Sequence, residues 1–255
     1  MLFKNISDMK TALLDSGQNK LDGRPIYFSV TKGKGDIASR LGCWFCLDNP
    51  EADKSLVAYE NDYTYIALDK GPIEKFHFLL IPQSHKSNYI SLSLDEKTSI
   101  DQCESKLAEF YGAEKRAYIR CERYYRLSLN ANHMIVHFVS IPQSKLSTLE
   151  LLFLSAVRDT KLEFFELQNG DTIETFVKPD DYYMSLSFVD PYTNSRKTRL
   201  CVMSSQLSSG LPPDFVRTFI CKITDLNSRR EWKACIRPEE DADFMKQRLS
   251  TFMQN

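Results

Sequence analysis

Two cysteines separated by two residues, in the run Cys43-Trp44-Phe45-Cys46, are the first side chains along the chain with evident chemistry. The seven cysteines of the chain are odd in number and scattered, and no signal peptide precedes them. This usage indicates a reducing compartment, where a Cys-x-x-Cys pair is more often metal-binding or redox-active than a structural disulfide. We expect the other five cysteines to fill apolar space.

The four histidines all fall between residues 77 and 137. Structural zinc takes four sulfur or nitrogen ligands in a tetrahedron, so the cysteine pair needs two further ligands. His85 follows one predicted strand and His133 begins another, and neighbouring antiparallel strands could bring them together. The pattern therefore predicts a zinc site of Cys43, Cys46, His85 and His133, although a lone histidine is more often a hydrogen-bonded structural residue.

Basic and aromatic side chains alternate between residues 115 and 126. Arginine pairs with phosphates in a bidentate manner and tyrosine rings stack on bases, so the mixture suits a nucleic-acid strand. A solvated surface strand with half-buried tyrosines is the alternative. On a strand, Arg116, Tyr118 and Arg120 would share one face. The basic residues are Lys115, Arg116, Arg120, Arg123 and Arg126, and the tyrosines are Tyr118, Tyr124 and Tyr125.

The formal net charge of −1 excludes a uniformly basic protein, so a nucleic-acid surface would have to be a local patch. No apolar run of about 18 residues is present, so we expect no membrane span. The segment Lys32-Gly33-Lys34-Gly35 lacks the spacing of a phosphate-binding loop, and we interpret it as a linker.

Hydrophobic patterning predicts an α+β protein with a lead-in segment, residues 1–40, and two domains. In the first domain, residues 41–143, an antiparallel sheet of about five strands packs against a helix that begins at Ser93 and runs to about Tyr111. The predicted strands are 56–59, 63–68, 76–81, 116–122 and 133–141.

Residues 144–255 are predicted to form a second, smaller α+β module. We expect helices over residues 146–157, 213–224 and 239–252, and strands over residues 162–167, 182–188 and 199–203.

Two segments resemble the hallmark sequences of the histidine-triad superfamily, one from Phe76 to His85 and one from His133 to Val139. More narrowly, four motifs are similar to the CwfJ family of splicing factors, which are partners of the lariat debranching enzyme. A weaker similarity to the family's second C-terminal domain extends to residue 255. The motifs are Cys43-Trp44-Phe45-Cys46, Lys70-Gly71-Pro72, the run from Cys121 to Arg126, and Val139-Ser140-Ile141-Pro142.

The resemblance implies a fold and a set of site residues. It implies a histidine-triad-like sheet in which the four predicted ligands hold a structural zinc. The triad pattern is His-x-His-x-His, and its middle histidine attacks phosphorus. Ile135 stands at that position here, and an isoleucine has no lone pair, so nucleotidyl transfer by the usual route should be absent. His137 keeps the third position and His77 could line the same phosphate-binding pocket.

The function implied by the resemblance is a non-catalytic RNA-binding module of the nucleus, acting in pre-mRNA splicing and intron lariat turnover. Its expected partners are intron lariat or spliceosomal RNA, the lariat debranching enzyme and spliceosome proteins. The alternative is a histidine-triad-like nucleotide hydrolase or RNA phosphodiesterase with a non-standard site. Relatives often carry an N-terminal metallophosphoesterase-like domain, and this sequence shows no such metal-ligand motif, so it could be the C-terminal part of a longer protein.

Overall fold

The computed structural model describes residues 20–21, 24–25, 43–50, 52–125, 132–204, 207 and 211–254. The chain divides into two compact units, residues 1–39 and 40–255. In the first unit, the short strands β1 (Lys20–Leu21) and β2 (Arg24–Pro25) pair in antiparallel fashion. The predicted linker at residues 32–35 and the predicted contact residue Arg126 lie outside the described residues.

The described part of residues 40–255 forms one antiparallel sheet of eight strands, in the order β3-β4-β5-β7-β6-β9-β10-β8. The chain therefore places β6 between β7 and β9 rather than beside β5. The strands are β3 (Val57–Glu60), β4 (Thr64–Leu68), β5 (His77–Pro82), β6 (Arg116–Tyr124), β7 (Val136–Pro142), β8 (Phe165–Glu166), β9 (Tyr182–Asp190) and β10 (Ser195–Met203).

The longest helix begins where the sequence predicts, because its first turn is capped from both directions. The Ser93 hydroxyl accepts a hydrogen bond from the Glu96 amide, and the Glu96 carboxylate accepts one from the Ser93 amide. The helices are α1 (Leu94–Ala113), α2 (Leu146–Arg158), α3 (Ile173–Phe176), α4 (Phe215–Ile223) and α5 (Glu239–Gln254).

The predicted α+β class is confirmed, and two predicted strands are shorter than expected. Of residues 162–167, only Phe165 and Glu166 pair with β10. The strand predicted to begin at His133 begins at Val136, because the Met134 amide bonds the Lys86 carbonyl oxygen at 2.6 Å instead of joining the ladder. That departure places His133 beside the loop that carries His85.

The sheet crosses the boundary predicted after residue 143. β6 bonds to β7 on one side and to β9 on the other, with Ile119 opposite Val139 and Phe188. The ranges 41–143 and 144–255 thus share one sheet within one compact unit.

Apolar side chains cover both faces of this sheet. Helices α1 and α5 lie on one face, over a core that includes Phe78, Leu107 and Leu249. Helices α2 and α4 lie on the other face, over a core that includes Phe153 and Ile220. Among the residues that the structure describes, no helix combines the length and apolar composition needed to cross a bilayer.

Candidate functional site

The four side chains predicted to hold zinc lie together in the structure. The ligand atoms of Cys43, Cys46, His85 and His133 are all within 4.8 Å of one another. The Sγ atom of Cys43 lies 3.4 Å from Nδ1 of His133, and Sγ of Cys46 lies 3.2 Å from Nδ1 of His85 and 3.5 Å from Nδ1 of His133. Three separate segments therefore converge on one point, and the two cysteines and His133 are buried there.

The turn that carries the cysteines is held by two polar side chains that the sequence did not single out. The buried amide of Asn49 donates to the Cys43 carbonyl oxygen at 2.8 Å. The Tyr65 hydroxyl, from strand β4, donates to the Phe45 carbonyl oxygen at 2.6 Å. Burial, together with the nearby Cys43 and Cys46, raises the pKa of Tyr65, so the hydroxyl keeps its proton and remains a donor.

Hydrogen bonding fixes which nitrogen of His133 faces the sulfur atoms. Its Nε2 lies 2.9 Å from the Pro82 carbonyl oxygen, which can only accept, so Nε2 carries the proton. Nδ1 therefore has a free lone pair directed at Cys43 and Cys46. A carbonyl acceptor behind a histidine ligand is the usual outer contact in metal sites, because it orients the ring.

The donor set and its spacing fit a tetrahedral metal ion. Zinc bonds of about 2.3 Å to sulfur and 2.0–2.1 Å to nitrogen at tetrahedral angles require sulfur and nitrogen to lie about 3.5 Å apart. The observed separations are 3.2–3.5 Å. The hydrogen bond from Cys46, with further contributions from His133 and His85, lowers the pKa of Cys43 to about 2 against the opposing effect of burial. The neighbours thus favour the thiolate, which is the form that binds metal.

Ile135 occupies the position where the histidine-triad pattern has its nucleophile. Its side chain packs against a small apolar cluster that includes Tyr65, Leu79 and Ile81, with Phe45 and Leu47 from the cysteine turn. The position is therefore filled by aliphatic packing, and no nucleophilic atom stands there.

Farther along the same face, His77 and His137 form a chain of hydrogen bonds. The Ile73 amide donates to Nδ1 of His77 at 3.2 Å, so the proton of the neutral ring is on Nε2. That Nε2 lies 3.1 Å from Nδ1 of His137 and donates to it. The proton of His137 is consequently on its Nε2, which remains as a donor.

The same protonation pattern argues against a metal at this second cluster. Asp69, His77 and His137 have ligand atoms close enough to hold an ion, but Nε2 of His77 carries a proton and offers no lone pair. Burial and the positive charge of Arg217 and Arg237 lower the pKa of His77 to about 3. Burial, His77 and two arginines lower the pKa of His137 to about 3, so both rings are neutral at neutral pH.

A cavity of about 110 Å³ opens beside these histidines. Arg123 from β6 and Arg217 from α4 both line it. Arg217 is fixed, because its guanidinium donates to the carbonyl oxygens of Arg229 and Arg230 at 2.7–2.9 Å. Asp214 also lines the cavity, and Arg217 lies 3.9 Å from Asp69. Because the two arginines and the histidine N–H donor outnumber the one carboxylate of the lining, we call this space the anion cavity.

The structure corrects part of the predicted basic patch. Arg120 is only 3% exposed and pairs with Glu104 at 2.5 Å, on the face of β6 that α1 covers. Tyr118 on the same face is buried and stacks on Tyr111. Arg116 pairs with Glu74 at 2.6 Å. These arginines neutralise carboxylates of the protein itself and are not free to contact RNA.

The remaining members of the patch lie in different places. Arg123, on the opposite face of β6, faces the anion cavity, and its guanidinium carbon lies 4.6 Å from the Tyr125 ring centre. Tyr124 is partly buried against Tyr182, with ring centres 5.3 Å apart. Lys115 is exposed in the turn before β6. The alternation of the strand thus separates the patch into a structural face and a cavity face.

Arg217 is the functional candidate that sequence reasoning missed. It lies 94 residues after Arg123 in the sequence, on a helix that we predicted only from its apolar pattern. No local motif marks it. The signal that places it at the cavity is the packing of α4 across the sheet, which the sequence does not display.

Comparison with known proteins finds relatives of this chain. Residues 32–154 match the family described as "Protein similar to CwfJ C-terminal". CWF19-like protein 1 of Xenopus laevis is 26% identical over 197 residues, which are 76% of this chain and 34% of that protein. CWF19-like protein 1 of Homo sapiens is 23% identical over 211 residues, which are 81% of this chain and 37% of that protein. The chain thus spans about a third of the length of these curated relatives.

Solved structures with a partial likeness include histidine-triad proteins. A zinc-bound histidine triad family protein from Mycobacterium smegmatis is 16% identical, with a TM-score of 0.32. The match covers 41% of this chain and 78% of that one.

Proposed function

We propose that this chain, which belongs to the CwfJ/Cwf19-like family, is a zinc-binding, non-catalytic RNA-binding module of the nucleus. It acts in pre-mRNA splicing and intron lariat turnover, where it supports the lariat debranching enzyme or a late spliceosome. The single observation that carries the proposal is the presence, on one sheet, of a complete four-ligand cluster and an arginine-lined cavity beside His137.

The zinc has a structural role in this proposal. Cys43, Cys46, His85 and His133 supply four protein ligands, which leaves no position for an activated water. Bound zinc would tie the cysteine turn to the loop after β5 and to the segment before β7. The packing around Ile135 then depends on the metal, because Phe45 and Leu47 of the turn pack against the same apolar cluster as Ile135.

The RNA contact in this proposal is a phosphate held by His137, Arg123 and Arg217. The His137 Nε2–H and the guanidinium groups are donors, and a phosphate offers several acceptor oxygens. His77 lines the same cavity and orients His137 through the hydrogen bond from its Nε2 to Nδ1 of His137. Tyr124 and Lys115 remain as flanking contacts.

Absence of catalysis follows from two properties of the site. Ile135 provides no nucleophile. The low pKa of His137, about 3, makes it a poor general base, since efficient proton transfer needs a pKa near the working pH. The alternative, an RNA phosphodiesterase or nucleotide hydrolase, requires hydrolysis of an adenylate or dinucleotide substrate that is lost on His137→Ala. Such a result would contradict the non-catalytic proposal.

Metal analysis tests the zinc site. We expect one zinc per chain by mass spectrometry of the purified protein under native conditions. Cys43→Ser should lose most of the zinc and lower the thermal midpoint, because metal binding and folding are coupled in such sites. Cys235→Ser is the matched control, since that buried thiol lies outside the cluster, and it should retain the metal. A zinc content equal in both variants would refute the assignment.

RNA titration tests the anion cavity. Arg123→Ala and His137→Ala should each weaken binding of single-stranded or branched RNA by about tenfold. Arg123→Ala should also reduce the salt dependence of binding by about one phosphate contact. Arg158→Ala, an exposed arginine on α2, should leave both quantities unchanged. Equal binding by the parent and both cavity variants would show that RNA does not use this cavity.

A further inference from the structure

A second and larger cavity, of about 590 Å³, opens between the β4–β5 turn and the C-terminal part of the chain. Its walls come from two ranges: residues 72–75 on one side and residues 226–245 on the other. It shares Ile73 with the anion cavity, but its polar side chains are a different set. We call it the C-terminal groove.

Two arginines of the C-terminal groove are anchored with part of their donor capacity unused. Arg229 donates through Nη2 to the Pro72 carbonyl oxygen at 2.7 Å, and Arg237 donates through Nη2 to the Lys75 carbonyl oxygen at 2.9 Å. Among the residues that the structure describes, the buried Nε atoms of both have no hydrogen-bond partner. Both side chains are only partly buried and line the groove, so their guanidinium groups are placed to meet an external acceptor.

The charge of the groove favours an anionic ligand. Its charged lining residues are Glu74, Lys75, Arg229, Arg237 and Asp241. Glu74 is neutralised from outside the groove by Arg116, at 2.6 Å. The groove then has three positive charges, on Lys75, Arg229 and Arg237, against one remaining carboxylate, that of Asp241.

The walls of the groove also carry apolar surface. Phe244 and Met245 of α5 line it together with Leu226 and Ile73, and Phe244 is 56% exposed. Trp232 and Ile236, in the segment that leads to Arg237, are 38% and 49% exposed. Exposed aromatic and aliphatic side chains next to arginines are typical of protein–protein contacts.

From this combination, we infer that the C-terminal groove docks an acidic peptide segment of a protein partner. A carboxylate of the peptide would accept hydrogen bonds from Arg229 and Arg237, and a neighbouring apolar side chain would lie against Phe244. An RNA strand fits less well, because its phosphates repeat along the whole strand, whereas the groove sets a few cations beside the apolar side chains of Leu226, Phe244 and Met245.

Peptide display on the full chain tests this inference. A random twelve-residue library selected on the immobilised protein should yield peptides in which Asp or Glu adjoins Leu, Phe or Trp. A synthetic peptide from that pool, labelled with fluorescein, should bind the parent saturably. Arg237→Gln and Phe244→Ala should each weaken its binding by about tenfold, since anchor residues dominate such contacts.

Two controls keep the result specific. Lys246→Gln also removes one positive charge, from α5, but Lys246 lies outside the groove, so this variant should leave peptide binding unchanged within about twofold. Phe244→Ala truncates an exposed side chain, so we expect this variant to fold like the parent. Circular dichroism checks the fold, and a loss of peptide binding can then be assigned to the groove. Short oligouridylate is titrated into the same variants.

Three outcomes overturn the inference. The first is that the recovered peptides show no enrichment in acidic residues. The second is that the selected peptide binds the Arg237→Gln and Phe244→Ala variants as tightly as the parent. The third is that oligouridylate, rather than the peptide, loses affinity in these variants, which assigns the groove to nucleic acid. Because Arg123 and His137 lie outside the C-terminal groove, failure here leaves the proposed function untouched, and the reverse also holds.

Discussion

At the scale of single residues, one backbone amide determines the roles of two histidines. The Ile73 amide bonds Nδ1 of His77, which places a proton on Nε2 and directs it to His137. The same residue types in the metal cluster behave differently, because the Pro82 carbonyl oxygen leaves Nδ1 of His133 unprotonated. Identical side chains thus present a free lone pair to two thiols in one place and an N–H donor in the other.

This arrangement predicts acid sensitivity. The pKa of each ring in the His77–His137 pair is lowered from 6.5 to about 3 by burial, so the unfolded chain binds protons over a range where the folded chain does not. Stability is therefore fully present above pH 6.5 and falls as the pH decreases toward 3. Each ring should contribute a loss of about 1 kcal/mol per pH unit in that window.

Urea unfolding at a series of pH values measures this effect. His137→Gln should show a smaller decrease in the free energy of unfolding than the parent between pH 6 and pH 4. His77, His85 and His133 are present in both proteins, so the difference between the two slopes isolates the contribution of His137. Parallel slopes would mean that His137 titrates in the folded protein as it does in water.

At the scale of an element, strand β6 divides its side chains between a structural face and a functional face. Arg120 lies under α1 with Glu104 and near Glu122, whose carboxylate accepts hydrogen bonds from the Tyr183 hydroxyl and the Tyr89 amide. Arg123 lies on the opposite face at the anion cavity. The two-residue period of the strand is sufficient to separate these roles.

Replacing Arg120 should therefore affect folding and not RNA binding. Arg120→Met leaves the buried carboxylate of Glu122 without a counterion and removes the closer of the two arginines from Glu104, which we expect to cost about 3 kcal/mol of unfolding free energy. Arg196→Met is the matched control, because Arg196 also pairs with Glu104 but is 47% exposed, and it should cost less than about 1 kcal/mol. Chemical denaturation measures the free energy of unfolding of both variants. A larger loss for Arg196 than for Arg120 would contradict this account of β6.

At the scale of the whole unit from residue 40 to residue 255, the two predicted domains are joined by more than the shared sheet. Gly71, in the β4–β5 turn, lies directly against the backbone of Trp232 near the C-terminus. Arg229 and Arg237 add hydrogen bonds to the carbonyl oxygens of Pro72 and Lys75. The turn at residues 70–72 thus contacts the C-terminal segment.

This contact predicts that Gly71 tolerates no side chain. A Cβ atom at residue 71 would lie 2.2 Å from the Trp232 carbonyl oxygen, so Gly71→Ala should displace backbone and cost about 2 kcal/mol or more. Gly112, inside α1, is the matched control, because a Cβ atom there meets nothing closer than 3.5 Å. Gly112→Ala should stabilise by about 0.5 kcal/mol through helix propensity. Thermal denaturation compares the two, and equal effects would exclude the close contact.

The sequence by itself determined those features that depend on local pattern or residue type. Alternation and helical periodicity gave the α+β class, and the Ser93 capping box gave the start of α1. The thiol and imidazole chemistry of Cys43, Cys46, His85 and His133 predicted the ligand set, and Ile135 at the nucleophile position could be read directly.

Only the tertiary structure decided which side chains meet across long sequence separations. Strand order placed β6 between β7 and β9, which made one sheet of two predicted domains and buried Arg120 beneath α1. The packing of α4 brought Arg217 to His137, and the final segments folded against residues 70–75 to form the C-terminal groove. The hydrophobic pattern along a chain indicates which face of a helix or strand is apolar, but it does not indicate which other element will pack on that face.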